Sequence, residues 1–262
     1  MLFAIDVGNT NVVLGVFDGD RLTHSWRLAT MRERTADEIG ILVTRLFERS
    51  GIAVARIDGI ILSSVVPPLT RPTEEMAERY FGRKPMTVDP ATNTGMPVRC
   101  VPPTDVGADR VVNAVAAYEA YGRQPHIPVI VVDFGTATTF DAISAAGEYL
   151  GGVICPGIGI SADALFQRAA RLPRVEVRKP PSVIGETTVT SMQSGLFFGY
   201  VSMVDGIVTR MRREMEAGDR AVCVATGGMA DVLSGDTTTI QHVSPDLTLQ
   251  GLRLIWERNA QR

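Results

Sequence analysis

Three carboxylates are placed where they could do chemistry: Asp6 and Asp133, each closing an apolar run two residues before a glycine, and Asp109, at the start of an apolar periodic segment. Leu2-Phe3-Ala4-Ile5 stops at Asp6, turns through Gly8-Asn9-Thr10 and resumes as an apolar run from Val12 to Phe17, which reads as strand, tight turn, strand. Such a turn can grip phosphate. Gly8 allows a positive φ and close backbone approach, while the Thr10 hydroxyl and the Asn9 and Asn11 amides add donors beside exposed N–H groups. At the carboxyl end of a buried strand, Asp6 can hold a hydrated Mg²⁺ against the same phosphates. An ordinary hairpin with Asp and Asn in its turn fits the same residues.

A second copy of the pattern runs from 127 to 143, IPVIVVDFGTATTFDAI. Val129 to Val132 meet Asp133, then Phe134-Gly135-Thr136, then Thr138-Thr139-Phe140. Laying Asp6 on Asp133 puts Gly8 on Gly135, and a glycine turn near Gly19 is matched by one near Gly147. Two such hairpins, half a chain apart, predict a duplicated α/β unit with a nucleotide cleft between mixed-sheet halves, one phosphate loop on each side. The halves are expected at 1–122 and 123–262.

Asp109 sits in Val106-Gly107-Ala108-Asp109-Arg110, ahead of Val111, Val112, Val115 and Ala116 on a helix that ends near Gly122. It can be a plain N-cap. It can also accept a proton from a substrate hydroxyl, with Arg110 beside it to fix an anionic group by paired hydrogen bonds. The segment from Asp89 to Thr104, rich in Pro, Thr, Asn and Gly, shows neither strand nor helix period and reads as a functional loop leading into that helix.

The elements that must hold these groups are legible too. Arg21 to Ala29 can extend the first sheet, and Thr35-Ala-Asp-Glu38 is a capping-box pattern before Ile39, Leu42, Val43, Leu46 and Phe47, with Gly51 placed to end the helix. Gly59 to Val66 reads as a buried strand stopped by Pro67-Pro68, and Pro72 is expected to open a helix to about Phe81, with Gly82 beyond. Ser191 to Met215 is apolar nearly all round, with Gly195 and Gly199 at its heart, so it must be buried on more than one side. Ala221 to Ala225, then Thr226-Gly227-Gly228, reads as strand, turn and helix.

With 262 residues, 45% hydrophobic and 21% charged, the chain can bury a substantial core. A net charge of −3 gives no reason to expect nucleic acid or an anionic membrane as partner. No signal-peptide pattern precedes the first strand, and no apolar run approaches the length of a membrane span. Cys100, Cys155 and Cys223 form neither a disulfide framework nor a metal-ligand spacing, so a cytoplasmic location is expected.

Asp6-Val-Gly-Asn-Thr10, Gly107-Ala-Asp-Arg110, Asp133-Phe-Gly-Thr136, Gly151-Gly-Val-Ile-Cys-Pro-Gly157 and Met192-Gln-Ser-Gly195, in this order, resemble the type III pantothenate kinases. The resemblance implies the duplicated ribonuclease-H-like fold of actin-like ATPases. It also implies ATP-dependent phosphorylation of the primary hydroxyl of pantothenate, the first step of coenzyme A synthesis. ATP would then be bound by Asp6, Val7, Gly8, Asn9, Thr10, Asn11, Val12 and Val13, with Asp6 near Mg²⁺ and Thr136 at the γ-phosphate. Gly107, Ala108, Asp109 and Arg110 would line the acceptor pocket with Asp109 as base, and Thr188 would complete it at a homodimer interface. Asp133 would bind a monovalent cation, K⁺ or NH₄⁺. Taken from the residues alone, Thr188 is equally an N-cap for the long helix. Rival readings are a kinase of the same fold acting on another hydroxy acid or sugar, and a nucleotide-binding regulator without turnover.

Overall fold

In a computed structural model, which describes residues 1–260, the chain divides into two compact units. The first comprises Met1–Met96, Cys100–Ala116 and the chain from Thr248 onward; the second comprises Pro97–Arg99 and Ala117–Leu247.

The first unit carries the sheet β3-β2-β1-β4-β5, made of β1 (Leu2–Val7), β2 (Asn11–Asp18), β3 (Arg21–Ala29), β4 (Gly59–Ser64) and β5 (Met86–Thr87). The hairpin strands β1, β2 and β3 are antiparallel neighbours, while β4 joins β1 and β5 joins β4 in parallel. Alternation along the strands sends Phe3, Ile5, Val7, Leu14, Val16, Ile60 and Leu62 to one face, where helices α1 (Ala36–Arg49) and α2 (Pro67–Phe81) bury them. Phe3 stacks on Phe81 at 5.3 Å and meets Phe47 edge-on at 5.1 Å.

Helix α1 starts as its sequence predicts. Thr35 Oγ1 accepts from the Glu38 amide, and Glu38 accepts from the Thr35 amide in return. Val43 and Phe47 are buried and Ile39 and Leu46 pack beside them, whereas Leu42 stands at the exposed edge of the stripe. Helix α2 begins at Pro67, not at Pro72, which lies inside it. Prolines in a first turn lose no intrahelical bond, so Pro67-Pro68 end the strand and open the helix together.

The opposite face of this sheet receives the helix α7 (Leu247–Ala260). Small residues make the fit: a Cβ on Gly15 would lie 2.8 Å from Leu249, one on Gly59 2.1 Å from the Trp256 ring, and one on Gly251 2.1 Å from the Val112 carbonyl. Thr248 Oγ1 also donates to Asn113 Oδ1 at 2.7 Å. The segment from Thr248 on therefore groups with the first unit, where the sequence division at 122 had assigned it to the second half.

The second unit repeats the sheet as β8-β7-β6-β9-β10, from β6 (Val129–Phe134), β7 (Ala137–Ile143), β8 (Tyr149–Pro156), β9 (Val222–Gly227) and β10 (His242–Val243). Ile130, Val132, Phe134 and Phe140 pack with Leu196, Phe197, Val204 and Val208 of helix α5 (Thr188–Glu214). Cys223 lies in this core, where burial pushes its thiol up to about 12. A short segment, Pro97–Arg99, runs along the start of β8: Tyr149 N donates to Pro97 O at 2.9 Å and Arg99 N to Tyr149 O at 2.8 Å, with Arg99 paired to Glu148.

The duplication holds in detail. Asp6 pairs with Ser63 on the parallel neighbour, and Asp133 with Thr226 in the same place. The hairpins shift register at Val16/Phe17 and at Ala142/Ile143, and the following turns use Gly19 at φ 62° and Gly147 at φ 79°. Among the described residues no helix is long and apolar enough to cross a membrane.

Candidate functional site

Each unit ends its central strand in an Asp-x-Gly turn, and the two are described in turn. In the first unit β1 closes at Val7, and Gly8, Asn9 and Thr10 form the turn into β2 at Asn11. Gly8 lies outside the left-handed region, so positive φ is not the reason for a glycine there. Close approach is: Gly8 N donates to Asn11 O at 3.0 Å, and an added Cβ would sit 3.0 Å from that same oxygen. Two residues beyond the sequence motif hold the loop from behind. Thr30 donates its amide to Thr10 O at 2.9 Å and its hydroxyl to Gly8 O at 2.6 Å, and the Arg32 guanidinium approaches Asn9 Oδ1 at 3.5 Å.

Gly107 to Arg110, the segment expected to bind the acceptor, lies at the same end of this unit. Val65 N donates to Val7 O at 3.0 Å, and Val65 Cγ1 is 3.8 Å from where Gly107 would carry a Cβ. One residue thus lies against both the strand that feeds the Gly8–Thr10 turn and the turn that starts helix α3 (Ala108–Ala117). Asp109 falls within the first turn of α3, not before it. Its Oδ1 accepts from the Arg110 amide at 2.8 Å and occupies the space a Gly107 side chain would take, 2.6 Å from the added Cβ. Burial pushes the Asp109 carboxyl above the ordinary carboxylate range, partly offset by the amide and charge of Arg110. Half-buried at the start of α3, Asp109 thus has its neutral form favoured relative to an exposed carboxylate. Helix α3 is itself fixed by α7, through the Gly251–Val112 approach and the Thr248–Asn113 bond.

In the second unit β6 closes at Phe134, and Gly135 and Thr136 turn into β7 at Ala137. Gly135 N donates to Ala137 O at 3.1 Å, and Gly157 N to Thr136 O at 3.1 Å. Two glycines press on this loop from its flanks. A Cβ on Gly157 would lie 2.1 Å from Thr136 O and 2.7 Å from Gly135 O; one on Gly227, at φ 91°, would lie 2.5 Å from Asp133 Oδ1 and 2.7 Å from the Phe134 backbone. The Thr226-Gly227-Gly228 turn is thus adjacent to Asp133, a neighbour the sequence reading did not assign.

Thr188 stands exposed on the first turn of α5, on a different element from the Asp133–Thr136 loop. It is not the N-cap: Thr187 is, accepting from the Thr190 amide at 3.1 Å. Along α5, Gly195, Gly199 and Ser202 are exposed, and nothing lies within 4 Å of a Cβ on either glycine. Val183, 65% exposed, and Ile184, 83% exposed, precede this helix.

Comparison with known proteins gives three concordant results. A family model described as type III pantothenate kinase matches residues 2–210. Proteins named type III pantothenate kinase from Moorella thermoacetica and Myxococcus xanthus are 53% and 56% identical over 259 residues, covering 99% of this chain and 100% and 99% of theirs. Among solved structures, a putative Baf family transcriptional activator from Campylobacter jejuni aligns with TM-score 0.59 at 18% identity, covering 99% of this chain and 100% of that one. An inorganic polyphosphate/ATP-glucomannokinase from Arthrobacter aligns with TM-score 0.52 at 16% identity, covering 100% and 99%. At these identities the structures speak to the fold alone, two mixed sheets of the actin-like ATPase kind.

Proposed function

We infer that this chain, which belongs to the type III pantothenate kinase family, transfers the terminal phosphoryl group of ATP to the primary hydroxyl of pantothenate, the entry step of coenzyme A synthesis. The observation that carries this reading is identity above half, over almost the whole chain, to proteins of that name.

We propose the residue roles that the motifs shared with this family imply. Phosphoryl transfer passes through a loose transition state whose charge is spread over the phosphoryl oxygens, so the protein must position groups and neutralise charge. Asp6 to Val13 cradle the phosphates with the loop amides, and Thr136 serves the γ-phosphate from the second loop. Asp109 takes the proton of the acceptor hydroxyl, and Gly107 to Arg110 line the acceptor. Thr188 adds to the acceptor pocket. Gly107 supports this by leaving room for the base.

Asp6, at a strand end beside main-chain donors, offers the single hard carboxylate that a largely hydrated Mg²⁺ uses. Asp133, at the matching strand end of the second loop, offers the carboxylate for a K⁺ or NH₄⁺ ion. When bound, these cations supply neutralisation of phosphate charge. We also propose a homodimer. The small-residue face of α5 and the exposed Val183 and Ile184 beside it form a surface fit for a second copy. The cytoplasm, where coenzyme A precursors are made, is the proposed location.

The test is ADP release with a panel of hydroxyl acceptors, with and without K⁺. Pantothenate should accelerate release far above the other hydroxy acids and sugars. ADP release indifferent to pantothenate would overturn the substrate, and nucleotide binding with no turnover would favour a regulator.

A further inference from the structure

We propose that Thr30 is a positioning residue for the first phosphate loop: it holds two loop carbonyls down and so turns the Asn9 and Asn11 amides toward the phosphates. The proposal rests on the reading of Asp6 to Val13 as the ATP loop.

Thr30 follows directly on β3 and makes two bonds to the loop, amide to Thr10 O at 2.9 Å and hydroxyl to Gly8 O at 2.6 Å. A trans peptide is planar, with its C=O and N–H on opposite edges. Anchoring the Gly8 carbonyl on Thr30 therefore leaves the Asn9 N–H pointing away from β3, and anchoring the Thr10 carbonyl does the same for Asn11. The Gly8 amide is meanwhile committed to Asn11 O. Donors fixed in this way need no reorganisation when charge develops on a phosphoryl group.

The duplicated half separates the two bonds. There Gly157 N donates to Thr136 O at 3.1 Å, the counterpart of the Thr30 amide bond. No hydroxyl accompanies it, because the loop carbonyls occupy the place of a side chain. Between Val7 and Val12 the first loop has Gly8, Asn9, Thr10 and Asn11; between Phe134 and Thr138 the second has Gly135, Thr136 and Ala137. The added residue is Asn9, and the Thr30 hydroxyl anchors the peptide in front of it. The longer loop has one more peptide to orient and one more bond that orients it.

The experiment measures KM for ATP and for pantothenate in Thr30→Val and Thr30→Ser, with thermal unfolding of each. Thr30→Val should raise KM for ATP about three- to tenfold, the worth of one net hydrogen bond, and leave KM for pantothenate in place. Thr30→Ser should return KM for ATP to within about twofold of the parent, since its hydroxyl can make the same bond. A parental KM for ATP in Thr30→Val would overturn the proposal, as would Thr30→Ser being as impaired as Thr30→Val. Equal rises in both KM values with a lowered unfolding temperature would assign Thr30 to packing and also overturn it. Should Thr30→Val fold poorly, Thr30→Ala carries the same expected split. Asp6→Asn separates the underlying reading. If it handles ATP as the parent does, the ATP-loop assignment is wrong; if it is impaired while Thr30→Val is not, only the role of Thr30 fails.

Discussion

The two Asp-x-Gly loops share strand order, register and the bulge that follows, yet they are braced by opposite means. The first, one residue longer, is tied from behind by a hydroxyl, with Thr30 donating to Gly8 O. The second is clamped by absence: Gly157 and Gly227 bring backbone and carboxylate so near that neither could carry a side chain. A longer turn has more peptides to orient and needs a directed bond; a shorter one needs only its walls brought close. One hairpin type can thus be stiffened by adding a polar atom or by removing a carbon.

The units differ also in where their ionisable groups stand. In the first unit burial raises the Asp109 carboxyl at the start of α3, and removing that group should have the largest effect. Asp109→Asn is expected to lower kcat by about 10²–10⁴-fold with ATP affinity retained. Asp109 must be ionised to act, and its folded pKa is raised by burial, with Arg110 opposing. The acid limb of the kcat profile should therefore fall above the ordinary carboxylate value of about 3.9. That limb should vanish in the variant. Parental turnover in Asp109→Asn, or an acid limb it shares with the parent, would reduce Asp109 to a helix-start residue.

The contrast between the two braces predicts the next effect. Gly157→Ala drives a Cβ to 2.1 Å from Thr136 O and should cost about 1–3 kcal/mol of stability together with a raised KM for ATP. Gly8→Ala meets Asn11 O at 3.0 Å and should be tolerated better, with a smaller change in unfolding temperature. Thermal melts of the pair, side by side, test this; equal losses would erase the distinction between loops.

The smallest expected effect concerns acid stability of the second unit. Burial raises the Asp205 carboxyl, but the amides and hydroxyls of Thr238 and Thr239 outweigh it and hold the group below its usual range. A depressed folded pKa contributes stability above the unfolded value, and that stability is lost as pH falls through the folded one. Asp205→Asn should cost about 0.5–1 kcal/mol at neutral pH, since solvent screens these bonds, and narrow its deficit as the medium is acidified below pH of about 3.9. Denaturant melts at neutral and acid pH measure it, and a deficit constant with pH would sink the assignment.

Much of this arrangement is legible in the amino-acid sequence. The Asp6 and Asp133 hairpins announce the duplication because residue type, glycine spacing and apolar flanks repeat together, and Thr35 to Glu38 announce a helix start because the capping box is local chemistry. What escaped reading was tertiary. Thr30 looks like one more β-branched residue at a strand end, and nothing in its neighbours says that its hydroxyl returns to Gly8. Gly157 and Gly227 look like turn residues, though only Gly227 has a φ that asks for glycine. Helix α4 (Ile158–Arg168) leaves Ile160, Leu165 and Phe166 exposed, so its apolar residues do not form the single buried stripe that sequence reading looks for. Pro72 misled in the usual way, since a proline inside a helix reads as a beginning.

The return of α7 to the first sheet bears on how the protein is made. A ribosome delivers everything the second unit needs by Leu247, while the first still lacks the helix that fills the spaces beside Gly15 and Gly59. Domains generally mature in the order of synthesis. In this chain the order of completion is inverted: the half begun earlier lacks its last helix until the residues from Thr248 on are made, and with it the Thr248–Asn113 bond and the Gly251–Val112 approach that hold α3.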